Sequence, residues 1–264
     1  MSYAELHAKT NFSFLRAASH PDELVLRAAE LGYAALAVTD RNSLAGVVRA
    51  HGAAKEAGLK IIIGAEITPE DAPPVVLWAS DRAAYGRLSR LITVGRRRAE
   101  KGECRLTLDD VAEHAAGLLA GILPEARAER ATAAWHAAYR HYREIFAERC
   151  SLLAELHHGP DDQGWLGEIA ELSRQTRIPL AAAGDVHFHV PGRRALQDVL
   201  TAIRLGTTVA DAREHLFANA ERHLKPIEEI AVQFAGASGA LRRTLEIAEQ
   251  CRFSLDELRY EYPE

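Results

Sequence analysis

Leu180-Ala181-Ala182-Ala183-Gly184-Asp185-Val186-His187-Phe188-His189 is a short apolar run, a glycine, and then acidic and imidazole side chains in alternation. The apolar run is strand-like, Gly184 lets the backbone turn, and Asp185 and His187 point to the same side if the strand continues. Strand C-termini are where barrel enzymes build their sites, and carboxylates with imidazoles are the hard-to-borderline ligands of divalent ions. His7, Asp40, Glu66 and His158 each stand at the end of another strand-like run. A lone histidine or glutamate at such a place is usually a packed or surface residue. The conjunction over five segments is what points to metal. Lys9, Arg16 and Arg41 fall in the same windows, where a cation repels a metal ion, so scaffold and activity are separate questions.

Outward from this stretch, β-suitable runs alternate with helical patterns from residue 3 to about residue 204, the sign of βα units and a parallel sheet. The strands expected are Tyr3 to His7, Ala35 to Thr39, Ile61 to Ile67, Val75 to Ala79, Leu118 to Leu123, Leu152 to Leu156 and Leu180 to Ala183. Seven strands suggest a closed or nearly closed α/β barrel. Ser19-His20-Pro21-Asp22 reads as a capped helix start, with Leu24, Val25, Ala28 and Leu31 on one face and Gly32 as the stop. Trp135, Ala138, Tyr139, Tyr142 and Phe146 recur at helical spacing, as an amphipathic helix laid on the sheet would have them. After Pro191 only helices follow, over Arg193 to Arg204, Glu228 to Phe234 and Ser238 to Cys251. The organisation expected is a barrel over residues 1–204 and a helical cap or connector over 205–264, ending in the linker-like Leu258 to Glu264.

The 264 residues suffice for one large α/β domain. With 32 basic against 37 acidic side chains, no strong overall field attracts nucleic acid or an anionic membrane. Cys104, Cys150 and Cys251 are odd in number and far apart, which argues against a disulfide framework or a thiolate zinc site. The N-terminus lacks the order of a signal peptide, and no apolar run reaches bilayer length, so a cytoplasmic chain without membrane partners is expected.

Four stretches also carry a family resemblance. Tyr3-Ala4-Glu5-Leu6-His7-Ala8-Lys9-Thr10-Asn11-Phe12-Ser13-Phe14-Leu15, Ala37-Val38-Thr39-Asp40-Arg41-Asn42-Ser43-Leu44-Ala45-Gly46, Ile63-Gly64-Ala65-Glu66 and Gly184-Asp185-Val186-His187 resemble the motif regions of the polymerase and histidinol phosphatase (PHP) domain. More closely, the chain resembles the N-terminal PHP domains of bacterial error-prone DNA polymerases related to the polymerase III alpha subunit. That likeness continues through Arg194 to Arg204 and through Asn219-Ala220-Glu221-Arg222-His223-Leu224.

The resemblance implies a distorted seven-stranded TIM-like barrel with a C-terminal helical extension. The family's active members bind up to three divalent ions and hydrolyse phosphoesters. His7, Glu66, His158, Asp185 and His187 fall on ligand positions, whereas Lys9, Arg16 and Arg41, with Pro74 and Ile122, stand where ligands would be expected. A full trinuclear centre is therefore not expected, and one divalent ion, zinc or manganese, is the most that is looked for. Stripping metal from a cluster of Asp40, Glu66 and Asp185 leaves like charges close together, which Lys9 and Arg41 can offset. The function this points to is a structural or accessory domain of an error-prone, translesion polymerase acting in DNA replication and repair. Its partners would be polymerase domains following residue 264, DNA reached through them, and other mutagenesis or replication proteins. Contact regions would include the helical tail from Arg204 and Arg96-Arg97-Arg98. The alternative is a self-contained metallophosphoesterase of the histidinol-phosphatase type, with residual hydrolysis by one ion held by Glu66, Asp185 and a histidine. An unrelated amidohydrolase barrel would want a histidine at position 9, where Lys9 stands.

Overall fold

Seven strands lie in chain order in one curved sheet: β1 (Ala4–Ala8), β2 (Ala35–Val38), β3 (Lys60–Ile67), β4 (Val75–Ala79), β5 (Leu118–Ile122), β6 (Cys150–Glu155) and β7 (Leu180–Ala183). The structure is a computed structural model that describes residues 2–124 and 133–258, the side chains of 133–136 excepted. The Trp135 side chain and the tail from Arg259 to Glu264 thus lie outside the described residues.

The sheet is not wholly parallel as its βα rhythm predicts. β4 runs antiparallel to both β3 and β5. Only Thr68 to Pro74 separates β3 from β4. A parallel crossover needs a dozen or more residues, so the chain must turn straight back. All other neighbouring pairs are parallel. Hence β4 begins at the end of the barrel where β3 finishes.

β1 and β7 come together through the chain just beyond each. Val186 N–H donates to the His7 carbonyl (2.9 Å), and Lys9 N–H donates to the Val186 carbonyl (2.8 Å). Glu5, wholly buried, accepts from the His7 and Gly184 amides (2.9 Å each) and from the Tyr3 hydroxyl (2.9 Å). One carboxyl group therefore serves the seam as an acceptor where no ladder bonds run. Burial raises its pKa.

Inside the barrel the strands offer small side chains, Ala4, Ala35, Ala37, Ala181 and Ala183, around Leu6, Ile62, Val76, Leu119, Leu153 and the large ring of Trp78. Trp78 fits because Gly64 and Gly121 stand beside it. A Cβ on Gly121 would come within 2.4 Å of the indole. The indole N–H donates to the Leu6 carbonyl (2.9 Å), so the one polar atom of the ring is satisfied.

Helices α1 (Pro21–Glu30), α2 (Val47–Ala57), α3 (Arg82–Arg98), α4 (Leu108–His114), α5 (Ala133–Phe146) and α6 (Asp162–Thr176) connect the strands. α1 has Pro21 in its first turn and His20 at the N-cap, whose amide donates to Glu23 (2.8 Å). Gly32 follows its end with a φ of +72°, a conformation open to glycine. Ala138, Tyr139, Tyr142 and Phe146 of α5 are buried against the sheet.

Among the described residues, three α-helices follow β7: α7 (Arg194–Leu205), α8 (Ile227–Gln233) and α9 (Ser238–Gln250). α9 seals one end of the barrel. Its Ile247 and Ala248, with Cys251, join the interior cluster. Thr244 accepts from the first amide of β1, and Lys60, the first residue of β3, donates to the Ala248 carbonyl (2.6 Å). The opposite end, where β1, β2, β3, β6 and β7 finish, remains open as a mouth. All three cysteines are free, and no helix among the described residues is long and apolar enough to cross a membrane.

Candidate functional site

Side chains from four strand ends meet in the mouth. His7 and Lys9, two residues apart at the end of β1, project the same way, Glu66 comes from β3, Glu155 from the last position of β6, and Asp185 follows β7. Asp185 adopts a left-handed conformation, with φ +41°, that turns its carboxylate into the cluster.

Lys9 is the hub. Its Nζ donates to Asp185 Oδ1 at 2.5 Å and lies 2.8 Å from Glu66 Oε2. His7 is sandwiched between carboxylates, with Nδ1 2.6 Å from Glu155 Oε1 and Nε2 3.1 Å from Glu66 Oε2. Burial and the Lys9 ammonium press the imidazole pKa down, but Glu155 and Glu66 together raise it above the ordinary value. The raised pKa favours the protonated form, against the Lys9 ammonium 3.1 Å from Nε2. Burial likewise opposes ionisation of Glu66, and the Lys9 and His7 charges overcome it, holding its pKa well below the carboxylate norm. Glu155 is held low in the same way, with His7 as the chief opponent of burial.

Arg222 completes the cluster. Its guanidinium pairs with Asp185 Oδ2 and lies over the Phe217 ring, 4.5 Å from the centroid. Its carbonyl accepts from the His187 and Phe188 amides, which ties residues 217–222 alongside the chain beyond β7. Three carboxylates, Glu66, Glu155 and Asp185, thus face the Lys9 and Arg222 cations, with His7 between Glu66 and Glu155.

His187 plays another part. Its Nδ1 donates to the Arg16 carbonyl (2.6 Å), which leaves Nε2 facing Asp185 Oδ1 at 3.1 Å. Burial, reinforced by Lys9, lowers its pKa to about 3, so it is neutral at physiological pH.

The other residues singled out in the sequence are placed as follows. Asp40 does not join the carboxylates. It is buried and accepts from the Thr10 amide and hydroxyl (2.8 Å each) and from the Ser13 hydroxyl (2.6 Å), bracing the loop after β1. Burial nonetheless raises its pKa. Arg41 is half-buried, with Nε 4.0 Å from Glu66 Oε1. Arg16 and Arg204 line the same cavity, about 300 Å³ in volume, and repulsion from Arg41 and Arg204 adds to burial in lowering the Arg16 pKa. His158 stands outside the cavity, exposed, 3.0 Å from Glu229. The β6 residue that enters the mouth is Glu155. Of the arginine triplet, Arg96 donates to the Asn42 carbonyl and Arg98 pairs with Asp110 at 2.6 Å, so both work within the fold.

Sequence reasoning missed Glu155, Arg222 and Phe217. Glu155 had a signal: it ends an apolar strand two residues after Leu153, which faces the interior. Arg222 lay in a stretch already singled out for its likeness to a family, but nothing local ties it to Asp185.

Residues 5–157 match the model of the PHP domain. The error-prone DNA polymerase of Methylococcus capsulatus is 52% identical over 262 residues, covering 99% of this chain and 24% of that protein. The corresponding enzyme of Rhodopirellula baltica is 47% identical over 271 residues, covering 100% and 24%. That of Pseudomonas aeruginosa is 49% identical over 262 residues, covering 99% and 24%. The chain thus spans about a quarter of the length of the curated relatives it matches. Among solved structures, a protein assigned as a metal-dependent phosphoesterase from Bifidobacterium adolescentis superposes with a TM-score of 0.51 at 14% identity, covering 70% of this chain and 87% of the other. An amidohydrolase from Chromobacterium violaceum, solved with sulfate and no metal, gives 0.52 at 16% identity with the same coverage. Both share the fold.

Proposed function

This chain belongs to the PHP domain family, and on that premise we propose that it is an accessory domain of an error-prone DNA polymerase whose barrel mouth is held by protein cations instead of metal ions. One observation carries this reading: the Lys9 ammonium lies between Glu66 and Asp185, at 2.8 and 2.5 Å, among the ligand-type side chains of the mouth.

His7, Glu155 and Asp185 do bring one ligand atom each within 4.8 Å of one another, a donor set suited to one zinc or manganese ion. The fit fails on charge. At about 4 Å and an effective dielectric of about 20, two unit charges repel by about 4 kcal/mol, and a divalent ion beside an ammonium by about twice that. Arg222 already holds the other oxygen of Asp185. The carboxylates are neutralised without an ion, and we assign no hydrolytic step to the mouth.

In this reading the domain stabilises and positions the rest of a polymerase, and reaches DNA through it. The whole protein would carry out error-prone, translesion synthesis during DNA repair in the cytoplasm. The test uses the full-length polymerase: Glu66→Gln should leave primer extension within about twofold once the protein is shown to be folded. A folded variant with primer extension abolished would contradict an accessory role.

A second reading, a metallophosphoesterase, has the His7, Glu155 and Asp185 set in its favour. Replacing Lys9 and Arg41 by histidine separates the two. If cations displaced the ions, the double variant gains bound metal. Metal at background in an unchanged fold would remove the displacement account.

A further inference from the structure

α7 is amphipathic the wrong way round. Its polar residues Gln197 and Thr201 are buried against the mouth, where the Gln197 amide donates to the Arg16 carbonyl (3.0 Å). Its aliphatic residues face solvent: Leu196 is 40% exposed, Val199 44% and Ile203 58%, with Leu200 half-buried between them. The spacing i, i+3, i+4, i+7 makes these four one continuous seam, the pattern a helix uses to bury a face against a neighbour. Phe14, 79% exposed, extends the seam, for it and Ile203 line one cleft. Scattered apolar residues on a surface need no explanation, but a contiguous seam with an added aromatic ring marks an interaction site.

The reach of the polymerase likeness and the charges beside the seam point to what covers it. The PHP match ends at residue 157, whereas the likeness to error-prone DNA polymerases runs over 99–100% of the chain, so α7 lies in the part those polymerases share beyond the family match. Three quarters of each such polymerase lies outside the matched segment. Charge narrows the choice further. Arg204, next to Ile203, has no ionic partner among the described residues, and Arg16 and Arg41 lie near it. A second copy of this chain, packed seam to seam, would bring these cations together. A different surface with acidic side chains beside apolar ones would meet them.

We infer that the outer face of α7, with Phe14, is the surface on which the polymerase body docks, through an apolar patch edged by carboxylates that reach Arg204. This rests on the reading of the chain as a polymerase domain. It assigns the docking to one face, at the mouth end of the barrel and away from α9.

Alkylation rates test it. Val199→Cys and Ile203→Cys are each placed in a Cys104→Ser background, in both the 264-residue chain and the full-length polymerase, and treated with a maleimide. Val48→Cys, at a site 72% exposed on α2, is the control. The expected result is labelling at least tenfold slower at 199 and 203 in the full-length protein, with position 48 labelled alike in both. Equal rates at 199 and 203 in the two proteins would overturn the inference, as would slowing at 48 alone. Slow labelling in the 264-residue chain that quickens on dilution would mean a second copy covers the seam, and would also overturn it. Primer extension by the same full-length preparation reads the polymerase assignment separately. An active polymerase with a freely labelled seam sinks the docking face and leaves that assignment standing.

Discussion

Lys9 Nζ lies 2.5 Å from Asp185 Oδ1, joining the end of the first strand to the chain two residues beyond the seventh. The contact spans the seam where the barrel closes without a full ladder, and 2.8 Å away the same ammonium reaches Glu66 on the third strand. One side chain thereby links three strands.

Removing that charge takes the shared ammonium from two buried carboxylates. Lys9→Met should destabilise the chain by about 3–5 kcal/mol at pH 7, the usual result of breaking a buried ion pair from one side. The sign with pH follows from Glu66. Its folded pKa lies below the unfolded value, so its contribution is present above about pH 4.5 and is lost as the pH falls through the folded pKa. The gap between wild type and Lys9→Met should therefore shrink on acidification below about pH 4.5. Urea denaturation at pH 7 and pH 4, with chelator present, checks this. A gap that is constant with pH would mean that Lys9 acts by packing alone.

His187 should stay neutral with its proton on Nδ1. A histidine whose folded pKa is about 3 binds fewer protons than the unfolded chain between that value and about 6.5, so its contribution to stability is full above about pH 6.5 and is lost on acidification. Nitrogen-15 shifts of the ring should remain flat from pH 8 to pH 5. A titration centred near pH 6 would mean that burial and the Lys9 ammonium do not hold the ring neutral.

Asp40 is assigned to the loop after β1 and not to the charge cluster. Asp40→Ala leaves the Thr10 amide and the Ser13 hydroxyl without their acceptor, at a cost of about 1–3 kcal/mol for each group left buried. Thermal unfolding should show the loss. The ring shifts of His7 should hardly move, whereas a large displacement would return Asp40 to the cluster.

α9 is part of the barrel's interior. Ile247→Ala should cost about 2–5 kcal/mol by opening a cavity against the strand side chains. Because Trp78 belongs to the same interior cluster, its emission should shift to longer wavelength in the variant if water enters. Loss of stability below 1 kcal/mol would mean that the helix merely leans on the barrel.

Much of this was legible from the chain. Periodicity located all seven strands, because each is a buried apolar run bounded by turn residues, and two of them, Val75–Ala79 and Leu180–Ala183, match residue for residue. The direction of β4 was legible too, from the seven residues before it, but the βα rhythm masked it. The site was harder. His7, Lys9, Glu66, Asp185 and His187 announce themselves at strand ends. Glu155 was passed over for His158, because an imidazole three residues on looks more like a ligand than a glutamate ending a strand, and only the barrel's curvature shows which one turns inward. Asp40 sits at a strand end like the others, yet the fold of residues 10–13 gives it hydroxyl and amide donors first. Arg222 comes from a loop 37 positions after Asp185, and long-range pairs of this kind leave no local pattern.

The most direct measurement is elemental analysis of bound metal in the purified, untagged chain, with phosphoester hydrolysis assayed on the same sample with and without added manganese or zinc. The cation-held mouth predicts metal at background and no chelator-sensitive turnover. Stoichiometric metal with turnover that a chelator abolishes would contradict it, and would make His7, Glu155 and Asp185 the ligands of a working centre.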